Sequence, residues 1–240
     1  MRAGSHAATA PPRDVERYRG RVTRLRVHNL AVSLDGFATG ERRTVEAPFG
    51  HAGGRLMQWF FPTRTFVTAS GHESEAEGSG TVGVDDALAA TTNLDIGAEI
   101  MGRGKFGPHV GPWPDEEWRG WWGDEPPFRT PVVVLTHHER PDLVLGETTF
   151  HFRDLAPADA LDLARELAGG LDVRLGGGPT TVRSFLEAGL VDEMHLVLVP
   201  IVLGRGVRLW EGLEGVEEQF AIESVASPTG VVHQRFTRRR

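Results

Sequence analysis

The segment Asp172 to Pro200, DVRLGGGPTTVRSFLEAGLVDEMHLVLVP, constrains the fold more than any other part of the chain. Asp172 to Leu175 reads as a strand that runs straight into Gly176-Gly177-Gly178. Pro179 to Ala188 reads as a helix stopped by Gly189, and Met194 to Pro200 as a further strand. Three glycines at a strand-to-helix corner let a ligand approach the backbone closely. The helix start offers free N–H groups and a positive dipole end, with Pro179 in its first turn and the hydroxyls of Thr180 and Thr181 beside it. Together these features form a phosphate cradle. A tight turn in which glycine serves packing alone is the alternative that the sequence leaves open. The run is not a GxGxxG fingerprint, and no lysine follows as in a P-loop.

The remaining segments fit the same plan. Ordered structure is expected from Val22, after a polar extension over 1–21 that lacks an apolar signal core. Leu25 to Val32 reads as a buried strand closed by the Asp35-Gly36 turn. Gly40 to Gly83 is rich in Gly, Ser, Thr and Glu, with one apolar island, Leu56 to Phe61. So long an excursion reads as an active-site flap or a partner contact. Asp85 to Leu94 is expected to be a short helix with Asp85 as N-cap. Ala98 to Met101 and Pro131 to Thr136 read as strands, the second covered on both faces. Pro157 to Ala168 reads as a helix with Pro157 in its first turn and Gly169 as C-cap. Val231 to Thr237 is the last strand. Alternating strands and helices predict an α/β domain with a mainly parallel, layered sheet, its late strands free to pair antiparallel. No second-domain boundary is visible, so 22–240 reads as one domain.

Composition removes several function classes. The chain has 26 basic and 33 acidic residues, a net charge of −7, so a nucleic-acid partner gains no general attraction. It has no cysteine, which excludes disulfides and thiolate sites and is compatible with the cytoplasm. No apolar run approaches the ~18 residues of a membrane span. No metal site is expected: HExxH is absent, and the adjacent His137 and His138 would point to opposite faces of a strand. GxSxG is absent too, and His195 on an apolar strand reads as a satisfied core histidine.

Two further corners suit anions. Met101-Gly102-Arg103-Gly104-Lys105 combines close backbone approach with the charges of Arg103 and Lys105. Thr136-His137-His138-Glu139-Arg140 ends a strand where ligands of open α/β sheets lie. Three such corners suit one extended phosphorylated cofactor. Trp113, Trp118, Trp121 and Trp122 crowd one segment, with Trp118 and Trp122 spaced to share a helical face. Such a cluster fills core or an interface, or roofs a flat ligand. Asp35 is the candidate catalytic residue, and Phe37, Trp122 and Gly204 are the candidate substrate contacts. The apolar strand Met194 to Val199 and the tryptophans lead to the expectation of a homodimer.

The quoted pieces resemble the dihydrofolate-reductase-like superfamily, in the branch of the reductase domain of the bacterial bifunctional riboflavin-biosynthesis deaminase-reductase. They are SLDGF from Ser33, IMGRGKF from Ile100, PVVVLTH from Pro131, and LGGGPTTVRSFLEAGLVDEMHLVLVPIVLGRGVRLW from Leu175. The resemblance implies a single-domain, three-layer fold with a mostly parallel sheet, helices on both faces and an antiparallel C-terminal strand. It implies an NADPH-dependent reductase that transfers hydride to a small heterocyclic substrate, like 5-amino-6-(5-phosphoribosylamino)uracil reductase, in a homodimer. By carry-over, Gly102 and Arg103 meet the cofactor phosphates, and Lys105 beside them is a cofactor-binding candidate by its charge. Gly176, Gly177, Gly178, Thr180 and Thr181 wrap the pyrophosphate, with Pro179 a further cofactor-binding candidate among them, and Thr136 and His137 lie near the adenosine ribose. Two positions depart from the riboflavin-pathway pattern: Asn29 stands where a lysine is usual, and Leu175 where an acid precedes the glycines. The alternative reading is a catalytically silent nucleotide-binding module acting as a sensor or subunit.

Overall fold

Side chains alternate across each strand, and the apolar ones sort onto two faces of one sheet. A computed structural model describes residues 22–70, 79–114 and 117–240, so the extension expected over 1–21 lies outside the described residues. The strands are β1 (Leu25–Ser33), β2 (Phe37–Thr39), β3 (Ile96–Gly102), β4 (Pro131–Leu135), β5 (Leu143–Leu145) and β6 (Thr148–Arg153). They continue with β7 (Asp172–Leu175), β8 (Glu193–Val199), β9 (Val207–Arg208), β10 (Phe220–Ala226) and β11 (Val232–Arg238). Nine of them form one sheet in the order β10-β11-β8-β1-β7-β3-β4-β6-β5. The six from β8 to β6 are mutually parallel. β5 is antiparallel to β6, β11 to β8, and β10 to β11. β2 and β9 form a separate ribbon.

The helices are α1 (Arg64–Ala69), α2 (Val84–Ala89), α3 (Arg103–Phe106), α4 (Pro157–Ala168) and α5 (Pro179–Glu187). α4 forms as its sequence predicts. Pro157 opens it, Ala160, Leu161, Ala164 and Ala168 are buried, and Gly169 closes it with φ of 60°. These four residues join Val182, Phe185 and Leu186 of α5 against Ala98, Ile100, Val173 and Leu196 of the sheet. The opposite face is covered mainly by short helices and irregular chain. Ala52, Leu56 and Trp59 of the excursion pack there on Ala31, Val197 and Val199. Trp113, Trp118 and Trp122 pack on Phe106, Phe150 and Phe152.

The structure corrects several expectations. The predicted helix over 85–94 is shorter: α2 ends at Ala89 and its N-cap is Gly83, with no side-chain cap. Asp85 instead turns inward, and Thr229 and His233 hydrogen-bond its carboxylate. The excursion is not a bare loop, since it carries a 3-10 helix over Gly50–Met57 and then α1. Trp118 and Trp122 share no helix, because their segment folds as turns. β8 lies inside the sheet and presents no free edge; the border strands are β10 and β5. Among the described residues no helix is long and apolar enough to cross a membrane.

Candidate functional site

Parallel strands in register bring the glycine corners to one edge. Leu175 of β7 lies opposite both Val27 and Ile100, and Gly102 lies opposite Leu135. The corners after β3, β4 and β7 therefore stand side by side at the carboxyl edge of the sheet, where α/β proteins bind ligands. The Gly102 N–H donates to the Gly177 carbonyl at 2.9 Å, and the Gly176 N–H donates to that of Ile100 at 2.8 Å.

The glycines then divide by what a side chain would meet. A β-carbon on Gly102 would lie 2.1 Å from Thr181 Oγ1, and one on Gly176 would lie 2.1 Å from Glu99 Oε1. Those two are packing glycines. A β-carbon on Gly177 or Gly178 meets nothing within 4 Å. Those two line open space, and the peptide between them is cis. Within the one run, Gly176 is filled in by packing while Gly177 and Gly178 leave space open. Pro179 is buried at the start of α5, Thr180 is exposed, and Thr181 touches the Gly102 strand end.

A cavity of about 600 Å³ opens beside this edge. The glycine run 176–178, Pro179, Lys105 and Trp122 line it. Lys105 is not a free cation there. Its Nζ lies 2.7 Å from Oε1 of Glu99, whose other oxygen accepts from Arg174 Nε at 2.6 Å. Burial pushes the Glu99 carboxyl up, but Arg174 and Lys105 outweigh this and hold it below the usual carboxylate range. Burial likewise pulls the Lys105 ammonium down, against the opposing pull of Glu99.

Arg103 stands at the second corner with its guanidinium 3.7 Å over the Trp113 ring. One amino group donates to the Gly111 carbonyl, while Nε and Nη2 are buried without a hydrogen-bond partner among the described residues. Burial, with Arg140 nearby, lowers its affinity for the proton. Arg103 does not line the cavity. At the third corner Thr136 Oγ1 accepts the His138 N–H at 3.1 Å. His137 is exposed, and its Nδ1 is 3.0 Å from Asp154. That acid, beside Thr136 in space but distant in sequence, is one the sequence reading did not anticipate.

The remaining candidates sit elsewhere. Asp35 binds its own turn and the loop after β8. Ser33 Oγ donates to it at 2.6 Å, and the Leu203 and Gly204 N–H groups donate at 3.1 and 2.6 Å. The Ser33 hydroxyl foremost, then these N–H groups, pull its carboxyl down to about 2. Neither Asp35, Phe37 nor Gly204 lines the cavity. Phe37 is core, with the Arg208 guanidinium 4.3 Å over its ring. Trp122 does reach the cavity, stacked near Phe150. Sequence reading missed Asn29, Arg43 and Arg174, which also line it. Asn29 carries a local signal, a position where a lysine is usual. Arg43 lies inside the excursion, where no pattern distinguishes it.

This fold and edge define a single mixed α/β domain built on a mostly parallel sheet. The chain belongs to the family described as the RibD C-terminal domain, whose model matches residues 27–229. No curated protein matches it. Among solved structures it resembles a Shewanella sp. PV-4 protein named for riboflavin biosynthesis, with 19% identity and a TM-score of 0.52, covering 91% of this chain and 100% of that one. It also resembles the diaminohydroxyphosphoribosylaminopyrimidine deaminase/5-amino-6-(5-phosphoribosylamino)uracil reductase of Thermotoga maritima. That match has 14% identity and a TM-score of 0.51, and covers 92% of this chain and 58% of that one.

Proposed function

We propose that the domain is an NADPH-dependent reductase that binds its cofactor along the glycine edge and reduces a small molecule in the adjoining cavity. The observation that carries this reading is the open stretch Gly177-Gly178, backbone without side chains facing a cavity at a strand-to-helix corner. The residues fit a dinucleotide. Gly177 and Gly178 leave room for phosphate oxygens against the backbone, and α5 begins beside them. Arg103 holds two unsatisfied donor atoms for a phosphate, and the Thr136 corner lies next along the edge. NADPH, when bound, supplies hydride; the protein supplies orientation and a dry wall. Preference for NADPH over NADH rests on Arg103, because His137 is already paired with Asp154.

The second reading, a catalytically silent nucleotide-binding module, is favoured by one observation: the Asp35 carboxylate is ionised and bound within its own turn, outside the cavity wall. One experiment separates them. Calorimetry with NADPH and NADH, followed by NADPH oxidation with pterin, flavin and pyrimidine acceptors, should show tight NADPH binding and turnover with some acceptor. Binding without turnover across the panel supports the silent module. No binding of either nucleotide refutes both. We also propose a homodimer through the border strand β10, where Ile222 and Val225 are 42% and 48% exposed. Light scattering at micromolar concentration tests this, and a monomeric mass refutes it.

A further inference from the structure

β1 departs from its regular ladder at one place. Its register against β8 shifts between Val27 and Leu30. Asn29, inside this bulge, has φ of 55°, a left-handed conformation uncommon for a residue with a side chain. Strain of this kind persists where the surroundings over-determine it, and it gathers at binding sites.

The surroundings are a line of side chains drawn from four elements and two turns. Asn29 Oδ1 lies 2.9 Å from His195 Nδ1, His195 Nε2 lies 3.0 Å from His233 Nδ1, and His233 Nε2 lies 2.8 Å from Asp85 Oδ1. Thr229 donates to the other Asp85 oxygen at 2.8 Å. On its far side, Asn29 Nδ2 donates to Thr92 Oγ1 at 2.5 Å. Thr92 Oγ1 donates to the Ala89 carbonyl at 2.7 Å, so it accepts from Asn29 Nδ2, and Asn29 Oδ1 accepts from the Nδ1–H of His195. Burial and the facing His233 both keep His195 from taking a second proton. Trp59 stands edge-on to His233, with ring centroids 5.2 Å apart. A buried, fully matched chain of this kind has a direction. It sets the Asn29 amide with its oxygen toward His195 and one N–H toward Thr92. The second N–H is left for a ligand in the cavity that Asn29 lines.

The cavity wall says what that ligand is. Its cations gather at the glycine end, where Lys105 and Arg174 share Glu99 and Arg43 donates to the Gly104 carbonyl. His28, which also lines it, is kept neutral, because burial and then Arg26 pull its imidazole down to about 3. Away from that end the wall is Leu30, Phe49, Met57, Phe60, Phe61 and Phe66. Phe61 and Phe66 are in ring contact with centroids 5.1 Å apart, and Phe60 and Phe66 are 5.2 Å apart.

Resting on the reductase reading above, we propose that Asn29 orients the acceptor, that His195 and His233 are positioning residues behind it, and that the acceptor is an uncharged, largely apolar carbonyl compound. The Asn29 N–H meets the carbonyl oxygen, and the aromatic wall takes the apolar body. Reduction places one hydride with its electron pair on the carbonyl carbon and one proton from water on the oxygen; the nicotinamide named above is the reductant.

The test is binding to the cofactor-free full chain, so it does not depend on NADPH. 1,4-Naphthoquinone serves as the apolar carbonyl probe and uridine 5′-monophosphate as the charged comparator, both by calorimetry. The wild type should bind the quinone at least about tenfold more tightly than the nucleotide. Asn29→Ala and His195→Leu should each weaken quinone binding by about tenfold, the effect of one lost hydrogen bond. His195→Gln, which keeps one donor and one acceptor, should restore it. Equal or tighter binding of the nucleotide overturns the acceptor class. Unchanged quinone affinity in Asn29→Ala overturns the role of Asn29, and equal losses in His195→Gln and His195→Leu overturn the relay. If His195→Leu fails to fold, the wild-type preference, Asn29→Ala and His195→Gln still decide. Loss of NADPH binding with this pattern intact overturns the reductase reading alone.

Discussion

Thr181 Oγ1 lies 2.1 Å from the point where a β-carbon on Gly102 would sit, so strand β3 and helix α5 meet through a residue that must lack a side chain. Gly178, one turn away in the same corner, faces open space and has an ordinary φ of −76°. The two positions separate packing from ligand binding. Gly102→Ala should lower stability by about 1–3 kcal/mol, the cost of overpacking a filled site. Gly178→Ala should leave the urea midpoint nearly unchanged and weaken NADPH by about tenfold or more, because a methyl group holds phosphate off the backbone. Denaturation curves and calorimetry on both variants check this. A Gly178→Ala protein that binds NADPH like wild type would show that the open glycines are not a cradle.

Arg103 should carry the preference between the two nucleotides. Arg103→Gln keeps a polar side chain over Trp113 but removes the charge. A charge-assisted hydrogen bond is worth about 1.5–3 kcal/mol, so NADPH affinity should fall by roughly ten- to a hundredfold. NADH affinity should hardly move. Parallel titrations at two salt concentrations check both points, with the wild-type preference weakening as salt rises. An equal loss for both nucleotides would assign Arg103 to the shared pyrophosphate.

Asp35 should prove to be a clasp. Its carboxylate ties the turn after β1 to Leu203 and Gly204, and its backbone carbonyl accepts from Arg208 at 2.6 Å. Asp35→Asn retains the shape but weakens the accepting oxygens. The variant should melt at a lower temperature while NADPH affinity and any turnover stay near wild type. Lost turnover in a variant of unchanged melting temperature would return Asp35 to a catalytic role.

Acid should destabilise the fold before its carboxylates titrate. His28 and His195 are held near 3 and 4, below the ordinary 6.5 of imidazole, chiefly by burial. Lowered imidazoles cost the native state stability below the unfolded value, because there the unfolded chain takes up protons that the native one refuses. Stability should therefore be full above about pH 6.5 and fall as pH drops toward 4, by about 2 kcal/mol per imidazole at pH 5. Urea midpoints at pH 7.5 and pH 5 measure the fall, and His28→Phe should make it shallower. Equal midpoints would mean that these imidazoles are solvated.

Much of the architecture is visible in local pattern. The bounds of α4 and β7 follow from Pro157, Gly169 and the apolar run before the glycines, all signals within a few residues of their effect. β6 carries the same kind of signal, with Thr148, Phe150 and Phe152 buried in alternation. The N-cap expected at Asp85 failed for a different reason. Asp85 is a good cap by type, yet its carboxylate is taken by His233, 148 positions away in sequence.

The sequence by itself determined that a phosphate-friendly corner joins β7 to α5, because glycine conformation and helix polarity are local properties. Only the tertiary structure decided which glycines face open space. That depends on Thr181 and Glu99 filling the space at Gly102 and Gly176 while the space at Gly177 and Gly178 stays open. It likewise decided that Lys105 answers Glu99 and that Asn29 stands before His195. Such pairings are made across the sheet between residues far apart in the chain, and charge and hydrogen bonding act through distance in space, not through order in sequence.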